Sequence, residues 1–200
     1  MTSPHVALMQ VIRGQWKEDL AAAVATTVVP VTFLAALVAN ETGGNADAIR
    51  FEPAVFSELA EVVLGKRKAY TPAGIQHPLV RTELLNYVEP AGMSDFTDCL
   101  DRLAELATSR GLTQIMGWHA VEMARPMPTP ILMPTYYLQF TVELLAYFAN
   151  RYKLDQSQNF PELFRCWNAG KPEGPTFDPH YVSNGLTRMD LYAQLERGEL

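Results

Sequence analysis

From Leu20 to Ala39 the chain carries no charged residue, and it then stops abruptly on Asn40-Glu41-Thr42-Gly43-Gly44. An uncharged run of this length is the pattern of a membrane span. Pro30 divides it, and much of it is Ala and Thr rather than the largest apolar residues. Two helices meeting at Pro30 and buried in a protein core account for it better. The second helix runs from Val31 to Asn40 and ends on one carboxylate followed by a glycine pair. Two readings of Glu41 follow. It is a solvated last residue beside a glycine stop signal, or it opens from the core into a cleft. In the second case desolvation disfavours its charged form, and it becomes a general acid.

The remaining composition narrows the class. A chain of 200 residues with 48% hydrophobic content supports a sizeable core. A net charge of −6 gives no basic face for nucleic acid, so no nucleic-acid partner is expected. The histidines, His5, His77, His119 and His180, are scattered without metal-ligand spacing. They read as surface or packing residues, and neither metal nor cofactor is expected. Cys99 and Cys166 read as free buried thiols, with a disulfide as the alternative. No basic cluster precedes an early apolar run, so no secretory signal is visible.

Along the chain the pattern is mainly α, a single helical domain over residues 1–200 with at most a small β-hairpin beside a cleft. Residues 1–16 read as a short helix or packed arm, and Lys17 to Thr26 as a separate helix. Ala48 to Pro53 reads as a short extended piece, stopped by the proline. Ala54 to Leu64 is a helix with Val55, Leu59, Val62 and Val63 inward. Residues 65–94 read as an exposed insertion, basic at Lys66-Arg67-Lys68. Ser94 would cap a helix from Asp95 to Thr108 with Phe96, Leu100, Leu103, Leu106 and Ala107 inward. A short helix (His119 to Ala124) and a proline-rich connection from Pro126 lead to an apolar helix, Thr135 to Tyr152. Another helix, Phe160 to Ala169, closes on Gly170, and a helical tail carries Leu186, Met189, Leu191 and Leu195.

Three blocks stand out: ALVANETGGNADAI from Ala36, SRGLTQIMGWHA from Ser109, and CWNAGKPEG from Cys166, followed by Tyr181-Val182. Their order and content resemble the lysozyme-like superfamily, specifically the lytic transglycosylases and goose-type lysozymes. The intervening Arg-Phe-Glu-Pro and the long insertion are similar to phage-type N-acetylmuramidases. The resemblance implies a lysozyme-like fold and cleavage of peptidoglycan at the β-1,4 bond between N-acetylmuramic acid and N-acetylglucosamine. It places Glu41 as the catalytic acid. Gln114, Met116, Asn168 and Tyr181 fall on groove positions, and Trp118 and Trp167 are candidates to pack on sugar faces. Glu52, eleven residues after Glu41, is a candidate second carboxylate or simply a partner for Arg50. Asp47 reads as a turn residue. The chain departs from the family at Trp167, where the motif carries a tyrosine, so that hydroxyl is lost. The partner implied is the peptidoglycan glycan strand, reached by an unseen export route or at lysis. A chitin-cleaving relative, or a catalytically silent glycan-binding protein on the same fold, remains an alternative.

Overall fold

A computed structural model of the chain describes residues 3–75, 77–89, 96–123 and 134–200. The Ser94 cap, the Phe96 side chain and most of the proline-rich connection lie outside them. The described residues are mainly helical, with short antiparallel strands.

The uncharged run folds as two helices. The first, α1, is continuous from Pro4 to Val24, and the second, α2, runs from Val31 to Glu41 with Pro30 at its N-cap. This corrects the reading of residues 1–16 as a separate arm. The apolar positions of α1 look irregular because it packs on several partners at once: α2, the long α7 (Pro134–Tyr152) and α9 (Tyr181–Arg197). Each contact uses a different stripe of the helix. Phe33 to Ala39 are all buried, so α2 is the axis of the largest core. Around it sit Met9, Ile12 and Leu20 of α1, Leu138 and Leu145 of α7, Leu163 and Phe164 of α8 (Phe160–Ala169), and Met189 and Tyr192 of α9. Helices α8 and α9 approach closely at Gly185, where a Cβ would stand 2.5 Å from the Phe164 ring. No described helix is long and apolar enough to cross a membrane.

A second core lies under α3 (Pro53–Val63), α4 (Arg81–Val88), α5 (Phe96–Leu106) and α6 (Trp118–Glu122). Leu59, Val62, Leu84, Leu103, Leu106 and Trp118 meet there. Within the expected exposed insertion, residues 65–94, the described residues are therefore not all exposed. The Gly65–Lys68 stretch is exposed, but Tyr70, Ile75, Leu79, Leu84 and Val88 are buried. A two-stranded pairing of β2 (Ala69–Tyr70) with β3 (Leu79–Val80) closes the intervening loop. Leu100, expected to face inward, is 37% exposed, and Cys99 takes the inward place.

A smaller third cluster joins Ile115 to Tyr137, Phe140 and Leu144, and a three-stranded antiparallel sheet extends beyond the expected hairpin. Strand β1 (Ile49–Phe51) pairs with β4 (Thr108–Arg110), and β4 pairs with β5 (Ile115–Met116). The register sets Arg50 opposite Ser109, and Ser109 opposite Met116. Cys99 and Cys166 are both free and buried.

Candidate active site

Helix α2 ends at Glu41 because the next residues turn the backbone out of helical conformation. Gly43 and Gly44 have φ of 63° and 94°, a region closed to most side chains. The turn is fastened twice. The Trp16 indole N–H donates to Gly44 O at 3.0 Å, and Thr42 Oγ1 donates to Leu112 O at 2.9 Å. Asn45 Oδ1 accepts the Asp47 N–H at 3.0 Å, so Asp47 is a turn residue, as its sequence setting implies. The chain leaves this turn directly into β1.

The Glu41 side chain stays at the core edge. Burial raises its pKa to about 7, outweighing a hydrogen bond from Tyr181 and the charge of Arg50, which both pull it down. The hydroxyl of Tyr181 donates to Glu41 Oε1. Sequence reasoning places Tyr181 only near the groove, whereas here it holds the carboxyl. That hydroxyl comes from the first turn of α9.

Tyr181 is fixed in turn. Asn40, the residue before the acid, donates from Nδ2 to Tyr181 O at 2.9 Å. Arg188, two turns along α9, donates to Asn40 Oδ1 and to His5 Nδ1, the latter at 3.3 Å. Helices α1, α2 and α9 are locked together around the acid. Burial and the Glu41 charge push the Tyr181 phenol well above its usual range, so it remains a proton donor.

Glu52 is elsewhere engaged. It precedes α3, its N–H donates to Ala107 O at 2.9 Å, and its Oε1 pairs with Arg50 at 2.5 Å. The structural reading of this residue, as a partner for Arg50, is the one observed.

The other predicted residues gather around a cavity of about 260 Å³. Gln114, Met116, Trp118, Trp167 and Asn168 all line it, with His119, Leu144 and Phe148. Glu41 and Tyr181 are not among the lining residues. The two groups are tied through one loop. Thr42 holds Leu112, and the Trp167 indole N–H donates to the adjacent Thr113 O at 3.1 Å. The three sequence blocks, far apart along the chain, therefore converge on residues 109–116.

Their polar groups are not all available. Gln114 is expected from the sequence to hold sugar through its amide. Its Oε1 accepts from Ser109 at 2.9 Å, and its Nε2 donates to Ala48 O and Gly111 O, each at 3.0 Å. The amide secures its own loop, where Gln114 sits at φ 53°, and offers the cavity only a wall. Asn168 Oδ1 accepts the Phe177 N–H at 3.0 Å, leaving its Nδ2. Trp118 is buried, tilted by 32° against His119 with centroids 3.7 Å apart and edge-on to Tyr70. His119, which the sequence presents as a packing residue, is a cavity residue. A lone histidine carries no local signal, and only Glu122 three residues on hints at a pair.

No protein-family model, curated protein or solved structure matches the chain.

Proposed function

We propose that the chain is a peptidoglycan-cleaving muramidase in which Glu41 is the general acid. The observation that carries this reading is the Glu41 carboxyl, held at a helix end by burial and by Tyr181, with its pKa raised to about 7. A carboxyl poised there gives up a proton at neutral pH and is restored readily. The resemblance of the three blocks to lytic transglycosylases and goose-type lysozymes supports the same assignment, as does their convergence on one loop.

In this reaction Glu41 passes its proton to the glycosidic oxygen as the bond to C1 of N-acetylmuramic acid breaks. The N-acetylglucosamine side leaves with a free hydroxyl. The developing cation at C1 is then captured by the sugar's own 6-hydroxyl, whose proton returns to Glu41. The product is an anhydro sugar. The pairing of Glu52 with Arg50 favours this route over hydrolysis, which needs a second carboxylate to direct water.

The test is digestion of purified sacculi by the wild type and by Glu41→Gln, with product masses. Anhydro-ended fragments from the wild type and none from the variant are expected. Reducing ends would point to a lysozyme with Glu52 as base. Equal digestion by the variant would end the assignment. Binding of sacculi without any fragments from either would favour a silent glycan-binding protein, and turnover of chitin oligosaccharides alone a chitinase.

A further inference from the structure

The three-stranded sheet has two faces, and the acid meets only one of them. Residues directly opposite one another share a face, and successive residues alternate. The register sets Arg50, Ser109 and Met116 on one side, and Ile49, Arg110 and Ile115 on the other. The charge of Arg50 reaches Glu41, and Arg110 is not among the groups that act on that carboxyl.

Arg110 is half-buried, with its Nε sealed from solvent. None of its guanidinium donors has a hydrogen-bond or ion-pair partner among the described residues. Other arginines of the chain are answered: Arg13 by Glu196, Arg50 by Glu52, Arg67 by Glu58 and Glu61. A partly desolvated cation without a counter-charge is costly. Because Nε is enclosed, a ligand would meet the Nη end of the fork.

That end belongs to a cavity of about 130 Å³, separate from the one lined by Trp167. Arg110 lines it together with Ile49, its cross-strand partner, and Tyr137. Burial raises the pKa of the Tyr137 phenol and the charge of Arg110 lowers it, so the guanidinium lies within electrostatic reach of that ring. The ring itself is wedged against the Gly111 turn, where φ is 74° and a Cβ would stand 2.8 Å away. Ala48, Leu112 and Pro134 add apolar wall.

Size and charge restrict the ligand. At about 30 Å³ per water, the space holds roughly four waters, enough for a carboxylate on a short apolar stub. Asp47 also lines the cavity, is exposed, and forms no ion pair with Arg110. Its charge opposes a second negative charge on the ligand. An arginine fork matches the two oxygens of a planar carboxylate.

We propose that this cavity is a binding site for a monocarboxylate, held through the Nη atoms of Arg110 on the side of the sheet away from Glu41.

The experiment is an NMR titration of the full chain with sodium propionate at constant ionic strength, following the arginine Nε–H signals. A sealed Nε–H exchanges slowly, and the Arg110 signal is identified by its loss in Arg110→Gln. It should move saturably with propionate and stay in place with propionamide, which has the same shape and no charge. Arg110→Gln should weaken propionate binding about ten- to hundredfold, read by calorimetry. Phosphate should bind the wild type more weakly than propionate, and Asp47→Asn should improve phosphate binding about two- to fivefold. N-acetylalanine distinguishes the source of the carboxylate: tighter binding than propionate assigns it to a peptide end, weaker binding to a small free acid. A shift that fails to saturate, or equal shifts with propionate and propionamide, overturns the proposal. Phosphate binding more tightly than propionate overturns the choice of a monoanion. The wild-type signal answers without a substitution, so the result stands even where Arg110→Gln folds poorly. Neither Glu41 nor a glycan enters the titration, so this site and the muramidase reading fail separately.

Discussion

The two sides of the candidate site are built by opposite means. On the acid side, Glu41 and Tyr181 come from helices α2 and α9, which pack along their lengths, and the carboxyl has a neutral hydroxyl as its hydrogen-bond donor. On the cavity side, His119 and Trp167 are set by a hairpin loop and helix ends, and the Glu122 carboxylate accepts from two different residues. The contrast shows that a buried carboxyl takes its role from its surroundings. Burial leaves Glu41 a proton to give, against the pull of the Tyr181 hydroxyl. With the His119 imidazole and the Tyr147 phenol on its two oxygens, Glu122 serves as an anchor that orients someone else's nitrogen.

The sharpest way to break this contrast is Glu41→Gln. Loss of a positioned general acid lowers the rate by roughly 10²–10⁴-fold, read as release of soluble fragments from sacculi. The same variant changes stability with a defined sign. Because the folded pKa lies above the unfolded one, the folded wild type holds an extra proton between pH 4.5 and about 7, and stability falls as pH rises through that window. The loss approaches ~3 kcal/mol by pH 8. Urea unfolding at pH 4 and pH 8 should show this slope in the wild type and a flatter one in Glu41→Gln. Equal slopes would show that the carboxyl is better solvated than its setting implies.

Packing provides the next test. Gly185→Ala drives a Cβ to 2.5 Å from the Phe164 ring on the acid side. It should destabilise by about 1–3 kcal/mol in thermal unfolding. Tyr181→Phe removes the hydroxyl that donates to Glu41 Oε1. The acid's pKa should then rise above about 7, and the upper limb of the pH–activity profile should move to higher pH, with a stability loss of about 1 kcal/mol. A profile that stays in place would separate the hydroxyl from the acid. The smallest effect belongs to Arg67→Ala. Arg67 pairs with Glu58 at 2.9 Å and Glu61 at 3.0 Å on the exposed rim of the second core. A change within about 1 kcal/mol and unaltered activity are expected.

The acid side is the more legible in the sequence. The uncharged run, Pro30, and the glycine pair after Glu41 announce a buried helix and its end without reference to any other part of the chain. Helix α8 is equally plain, from Phe160 to its left-handed stop at Gly170. Helix α1 is hard to delimit from sequence because its buried positions answer to three neighbours. The second core is hidden by Lys66-Arg67-Lys68, a solvated corner whose charge draws attention from Tyr70, Ile75 and Leu79 behind it. Strand β4, Thr-Ser-Arg, lacks an apolar alternation, and it is a strand because β1 and β5 pair with it from both sides. His119 escapes sequence reasoning for a related reason. Its meaning comes from Tyr147 on a distant helix and from a cavity that exists only after folding.

Asn40 and Tyr181 are joined across 141 positions of sequence, and Glu41 and Tyr181 across 140. The raised proton affinity at position 41 comes from burial in the helical frame, and the Tyr181 hydroxyl, distant in sequence, moderates it. The proton affinity of that one side chain therefore reports how completely the helical frame has closed around it.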